Sequence, residues 1–416
     1  MSHNAVLVNG RSYNWPAQPL VVICCDGSEP AYMEIAMAEG LMPNLKSIIA
    51  KGENLRGLAA MPSFTNPNNL SIVTGRPPCV HGISGNYLID PDTGAETMMN
   101  DPKWLRAHTI FQAFQQAGAK VCVITAKDKL RLLLSNGLRY DGTAIAFSSE
   151  KADKANLSEN GVDDVLQFVG LPLPEVYSAE LSEFVFAAGV RLLQRDRPEL
   201  MYLSTTDYVQ HKYAPGTKGA NSFYALMDGY LGALDATGAT LVIIADHGMK
   251  DKHKPDGSPD VIYLQDALDE AIGLGRTRVI LPITDPYVVH HGALGSYATV
   301  YLDATSLNDA VRIIAEIEGI DQVHTRAQAC ELFELPPDRI GDLVVISGGP
   351  TGSKVIGTSK DKHDLSGLDA PLRSHGGLTE QEIPIITNRK LQNLHTPLRN
   401  FDAFLLGCNH IIGSHA

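Results

Sequence analysis

The run Leu241-Val242-Ile243-Ile244-Ala245 is apolar and rich in β-branched residues, and it stops abruptly at Asp246-His247-Gly248. Uninterrupted apolar character over this length fits a strand buried on both faces, as strands are in a parallel sheet. In open α/β sheets, ligands sit beyond the carboxyl ends of the strands. Asp246 and His247 therefore stand where chemistry can happen. Asp and His are also two of the usual zinc ligands. A capping Asp beside a turn His would give the same three letters, so this stretch gains meaning only from the other strands.

Those strands end alike. Leu20 to Cys25 reads as a buried strand ending at Asp26-Gly27. Leu200 to Ser204 is another; it ends at Thr205-Thr206-Asp207, with His211 four residues on. A spacing of four puts Asp207 and His211 on one face if a helix starts there. Lys120 to Thr125 runs into Ala126-Lys127-Asp128-Lys129, and a late segment carries Ser374-His375-Gly376-Gly377. Helices are expected between them: 33–38, 42–51, 109–117, 178–194 and 221–234. A further helix is expected to open with Asn66 as N-cap and Pro67 in the first turn, stopping at Gly75. Thr65 would then face a helix N-terminus, where backbone N–H groups favour an anion.

Strand–helix alternation through residue 250 predicts a mostly parallel α/β sheet between helices. Beyond it the pattern becomes compact: strands at 278–283, 296–302, 322–325 and 341–347, with helices at 307–317 and 326–335. The expected organisation is a core of 1–264 and 371–416 with an inserted α+β cap of 265–370. A length of 416 residues accommodates a large domain and a smaller one. Ile383 to Ile386 and Phe401 to Leu405 would finish the core.

The net charge of −13 comes with no basic patch, which argues against a nucleic-acid partner. A negative body can still hold an anionic substrate where metal ions dominate locally. The six cysteines form no Cys-x-x-Cys pair, and Cys24, Cys25 and Cys122 lie in apolar runs, so buried thiols are expected. With no signal-like N-terminus and no apolar run of membrane-spanning length, the expectation is a cytoplasmic protein that does not contact a membrane.

Three carboxylates (Asp26, Asp207, Asp246) and three imidazoles (His211, His247, His375) suffice as ligands for two divalent ions, and a thiolate-free N/O set suits zinc, with manganese or iron as alternatives. Two such ions can clamp the attacking and leaving oxygens of a phosphoryl transfer.

Six ordered motifs carry a resemblance. They are Asp26 on the first strand; Pro62-x-x-Thr65-x-Pro67-Asn68; Thr74-Gly75-Arg76-x-Pro78 with His81-Gly82-Ile83-x-Gly85-Asn86; Asp207-x-x-x-His211; Asp246-His247-Gly248; and His375-Gly376. The chain resembles the alkaline phosphatase superfamily, in the branch with the nucleotide pyrophosphatases/phosphodiesterases. The resemblance spans residues 20–260 and about 370–405 and leaves out the cap. It implies an alkaline phosphatase-like core with two Zn2+ per chain, one held by Asp207, His211 and His375, the other by Asp26, Thr65, Asp246 and His247. Thr65 would be the nucleophile, and Asn86 would help hold the phosphoryl oxygens.

Three finer features, Ala126-Lys127-Asp128-Lys129, Ser84-Gly85-Asn86-Tyr87 and Ser374-His375-Gly376-Gly377, are similar to the phosphonate-cleaving members of that branch. They imply hydrolysis of a small phosphonate, phosphonoacetate, to phosphate and acetate. Expelling carbon leaves charge that delocalises onto the neighbouring carboxylate, and an ammonium beside that carboxylate would stabilise it. Lys127 and Lys129 are the candidates, pointing the same way if the segment is extended; a solvated charge run is the plain alternative. The competing activity is that of a phosphodiesterase or nucleotide pyrophosphatase, and the competing class is a non-catalytic, metal-dependent phosphonate sensor. A homodimer is an assembly open to such a chain. His81 is read as a loop brace, Lys252, His253 and Lys254 as a solvated loop, and His290 and His291 as a polar surface pair.

Overall fold

A computed structural model describes residues 4–285, 292–348 and 352–413. Its centre is a seven-stranded sheet in the order Glu53–Leu58, Glu382–Thr387, Thr240–Ile244, Leu20–Cys24, Leu200–Ser204, Val121–Thr125, Ala144–Ser148. The last five strands in that order are mutually parallel. Glu382–Thr387 runs antiparallel between Thr240–Ile244 and Glu53–Leu58. The five residues of each of the three strands around Leu20–Cys24 are wholly buried. One apolar cluster covers each face of the sheet: Ile23, Leu203, Leu241 and Phe184 on one side, Val22, Tyr202, Val242 and Phe404 on the other. The fold is the expected α/β one with a mostly parallel sheet.

Several boundaries differ from the expectation for physical reasons. The helix expected from Asn66 begins at Thr65 and ends at Thr74, with extended Phe64 as its N-cap. Ser63 is tied across to Gly376 by an antiparallel bridge, its N–H donating to the Gly376 carbonyl at 3.3 Å, so tertiary pairing sets the entry. Gly75 does stop this helix, in the left-handed conformation at φ 66°. Phe401 to Leu405 lies in a short 3-10 turn followed by the helix Ala403–Asn409. The strand Ala144–Ser148 and the helix Leu264–Ile272 were not anticipated.

Between Thr240–Ile244 and Glu382–Thr387 the chain builds a second sheet of four antiparallel strands, ordered Thr277–Ile280, Tyr297–Leu302, Leu343–Ser347, Ile320–Thr325. Its own apolar cluster includes Phe64 of the site helix. Two short pairings bring the chain back: Lys250 and Asp251 pair with Ser374 and Arg373, which sets His375 beside the Asp246-His247 loop. No helix among the described residues is long and apolar enough to cross a membrane.

Candidate metal centre and active site

The carboxyl ends of the central strands deliver the ligand-type residues to one place. Asp207, His211 and His375 form one group, and Asp26, Asp246 and His247 another; within each, the candidate ligand atoms lie within 4.8 Å of one another. Asp207 is the N-cap of the short helix Tyr208–Lys212, so it and His211 share a face as expected.

All three imidazoles are oriented by the same device. His211 Nδ1 lies 2.8 Å from the Arg373 carbonyl, His247 Nδ1 2.8 Å from that of Gly248, and His375 Nδ1 2.8 Å from that of Ser63. A carbonyl can only accept, so each Nδ1 carries a proton, and each Nε2 is the nitrogen left to act as a ligand. Those Nε2 atoms meet carboxylates. His211 Nε2 is 2.9 Å from Asp207 Oδ2, His247 Nε2 3.4 Å from Asp26 Oδ1, and His375 Nε2 3.8 Å from Asp207 Oδ2. Imidazole nitrogens and carboxylate oxygens converging in a buried place make up the donor set a divalent cation takes. Histidines that ligate metal orient themselves in this way, donating the other N–H to a carbonyl.

The electrostatics agree. Burial, then the nearby Asp246 and Asp207 carboxylates, push Asp26 well above the usual carboxylate range. Burial also raises Asp246, opposed by His247. Burial, then His247, holds His375 well below the ordinary imidazole value. Asp26 Oδ1 is buried without a hydrogen bond. The residues present thus fit divalent ions of the zinc type. Behind them Asn69, fixed by the Tyr202 and Ser204 hydroxyls, donates to Asp246 Oδ2 at 3.0 Å. Asn69 was missed in the sequence; a second buried Asn one turn after Thr65 was its signal.

Thr65 opens its helix, and its Oγ1 lies 3.2 Å from His247 Nε2. It faces a cavity of about 350 Å³ that is also lined by Asn86, Lys127, Lys129, Asp207 and His375. Asn86 is held by the second sheet's approach: its N–H donates to the Pro282 carbonyl at 2.7 Å and its Nδ2 to that of Ile283 at 3.2 Å. Its Oδ1 is buried without a partner.

The lysines are not on an extended segment. The strand ends at Thr125, Lys127 is an N-cap, and Lys129 sits in the first turn of the helix Asp128–Leu134, because the Asp128 N–H is taken by Glu150. Both nonetheless line the same cavity as Thr65 and Asn86. Lys127 Nζ donates to the Val176 carbonyl at 2.6 Å and stands over the Tyr177 ring. Burial lowers its pKa. Lys129 Nζ contacts both carboxylate oxygens of Asp285 at 3.1 Å. No sequence pattern marked Val176, Tyr177 or Asp285.

His81 is a brace, as expected: Nδ1 accepts the Ile83 N–H at 3.2 Å and Nε2 pairs with the Ser71 hydroxyl at 2.9 Å. Lys252 does not belong to a solvated loop; its side chain is wholly buried against Glu380. His290 and His291 lie outside the described residues.

The profile of the Type I phosphodiesterase / nucleotide pyrophosphatase family matches residues 20–377, and the chain belongs to that family. Within it the chain is similar to phosphonoacetate hydrolase from Sinorhizobium meliloti. The crystal structure of that protein with phosphonoformate superposes with a TM-score of 0.95 at 60% identity, covering 98% of this chain and 99% of that one. Its complex with phosphonoacetate gives 0.94 at the same identity and coverage. Murine ectonucleotide pyrophosphatase/phosphodiesterase 5 shares the fold, with a TM-score of 0.64 at 18% identity and 94% coverage of each chain. An uncharacterized pyrophosphatase/phosphodiesterase of Schizosaccharomyces pombe is 24% identical over 287 residues; the match takes in 65% of this chain but only about half, 53%, of that relative's length.

Proposed function

We propose that this protein is a dizinc hydrolase that cleaves the carbon–phosphorus bond of phosphonoacetate to phosphate and acetate through Thr65. The observation that carries the reading is the set of three imidazoles, each spending Nδ1–H on a carbonyl and aiming Nε2 at carboxylates, beside a helix-opening threonine. Asp207, His211 and His375 would hold one ion, and Asp26, Asp246, His247 and Thr65 the other. Bound zinc would supply positive charge to the phosphoryl oxygens and to the Thr65 oxygen.

The chain's own residues do the rest. Thr65 Oγ attacks phosphorus as the P–C bond breaks; its proton passes to solvent water, which later returns one to the departing carbon. The electron pair leaves with carbon and spreads onto the carboxylate, which Lys127 and Lys129 stabilise. Protonation of that carbon gives acetate, and water then hydrolyses the phosphothreonine to phosphate, restoring the hydroxyl. The first-turn N–H groups of the Thr65 helix favour the phosphoryl anion, and Asn86 lies against it. Residues 265–370 would act as a cap, because the Pro282–Ile283 backbone that fixes Asn86 lies there. Six free thiols suit a reducing compartment such as the cytoplasm.

The family match also supports a phosphodiesterase or nucleotide pyrophosphatase. Two lysines at one wall of the cavity favour the carboxylate-bearing phosphonate. A sensor has no use for Thr65. Measuring phosphate release from a panel of phosphonates and phosphate esters separates the three: preference for phosphonoacetate supports the proposal, preference for diesters replaces it, and no turnover leaves the sensor.

A further inference from the structure

Lys252 and Glu380 form an ion pair with neither side chain exposed, Nζ to Oε1 at 2.9 Å. Removing two charges from water is costly, and a pair of this kind is weak evidence for stability as such; its best-attested use is to fix one arrangement among several. Its place in the chain suggests what it fixes. Lys252 follows His247 by five residues, and Glu380 follows His375 by five.

Glu380 grips both stretches. Its carbonyl accepts the Gly248 N–H at 2.7 Å, next to His247. Its Oε2 accepts the Gly377 N–H at 2.9 Å, two residues from His375. Its Oε1 receives Lys252 Nζ and the Thr379 hydroxyl. Lys252 is itself anchored: its N–H donates to the Leu372 carbonyl at 2.8 Å, and Nζ also donates to the Gly352 carbonyl. There is little slack, since a Cβ at Gly377 would meet Ser296 Cβ at 2.9 Å and Glu380 Oε2 at 3.3 Å.

We infer that the Lys252–Glu380 pair is a positioning device that sets the spacing of the His247 and His375 loops, and through them the distance between the two metal-ligand groups. The inference rests on the proposed metal reading. Neither residue lines the cavity; Glu380 acts on the backbone of Gly248 and Gly377, and Lys252 acts through Glu380. Charge-assisted hydrogen bonds are short and directional, whereas an apolar pair of equal volume would fill the space without fixing the register of the loops. Outer contacts of this sort typically alter metal affinity by about 10–100-fold.

The test compares Lys252→Met, Glu380→Gln and the double variant with the wild type. Each protein is titrated with zinc against a chromogenic chelator, and folding is followed by near-ultraviolet circular dichroism and Tm. Each single variant should lose Tm, Lys252→Met most, because it leaves a buried carboxylate unpaired. The double variant should recover most of that Tm, since no buried charge remains and the introduced amide oxygen can still accept the Gly377 N–H. Its zinc affinity should nonetheless stay about 10–100-fold below wild type. Wild-type affinity in a folded double variant overturns the inference while leaving the metal reading intact. A wild-type protein that retains no zinc overturns both. If the double variant does not fold, the titration on Glu380→Gln decides: weakened zinc binding supports the inference and unchanged binding overturns it.

Discussion

The imidazoles of His247 and His375 lie face to face, their centroids 3.7 Å apart and their planes within 5°, although each belongs to a different group of ligand-type residues. Two stacked rings cannot both carry charge cheaply, and burial together with the neighbouring ring holds His375 well below its ordinary value. Both Nδ1–H groups are committed to carbonyls, so the neighbouring Nε2 atoms place the two groups side by side. Groups placed side by side suit the two-ion reading proposed above, in which ions about 3.5–4 Å apart would act on one phosphoryl group. Elemental analysis of active, undialysed protein should find about two zinc ions per chain. One ion at most would defeat the dinuclear scheme.

Thr65→Ala should fold and retain at least one metal ion, because in the proposed site Thr65 would contribute a single oxygen beside Asp26, Asp246 and His247. Turnover should fall on the order of a thousand-fold or more, as for other removed nucleophiles. Thr65→Ser should keep part of the rate. Rates and metal content measured side by side check this, and near-normal turnover by the alanine variant would mean that water attacks phosphorus directly.

Lys127→Ala and Lys129→Ala should impair phosphonoacetate turnover far more than turnover of a nitrophenyl phosphate, which has no carboxylate to lose. A lost charge-assisted contact costs on the order of 1.5–3 kcal/mol, or roughly 10–150-fold in kcat/KM. Lys129 starts from a pairing with Asp285, so its effect should be the smaller of the two. Equal losses on both substrates would assign the lysines to phosphoryl oxygens or to loop structure.

Much of this site is legible in the sequence because its chemistry stands at the ends of strands that are apolar throughout. Leu20–Cys24, Leu200–Ser204 and Thr240–Ile244 are buried on both faces, so no polar alternation blurs them, and Asp26, Asp207 and Asp246 mark where the hydrophobic runs give way to ligand-type residues. Other features depend on distant partners. Lys252 sits between basic and polar neighbours and reads as solvated; only Glu380, 128 residues away, explains its burial. The start of the Thr65 helix is decided by pairing with Gly376, which no local propensity encodes. Ala144–Ser148 is as long as those strands, but two alanines and a serine among its five residues give it little hydrophobic or β signal. The helix Leu264–Ile272, by contrast, carries Leu264, Leu268 and Ile272 at a spacing of four and was readable.

His81 gives a pH prediction independent of the metal site. Burial, reinforced by Arg339, depresses its pKa to about 3. Between the ordinary imidazole value and that figure, the unfolded chain binds a proton that the folded chain refuses. Stability from this residue is therefore complete above about pH 6.5 and falls as pH is lowered toward 3. At pH 5 the loss should be about 2 kcal/mol. His81→Gln removes the titration, so in metal-stripped protein its Tm deficit against wild type should be large at pH 7.5 and narrow at pH 5. A deficit constant across that range would show that His81 is not held neutral.

The antiparallel strand Glu382–Thr387 re-enters the sheet next to Thr240–Ile244, with Val242 opposite Thr387 and Ile244 opposite Ile385. Everything between those two strands is, from the sheet's standpoint, one long loop. The entropy of closing a loop grows only with the logarithm of its length, so doubling it costs about 0.6 kcal/mol. Length can accordingly be added or trimmed between Asp251 and Arg373 at little thermodynamic expense, while the pairing of those two residues still sets His375 beside the Asp246-His247 loop. Such remodelling reaches the cavity directly, because the same excursion carries Ile283 and Asp285 to its wall.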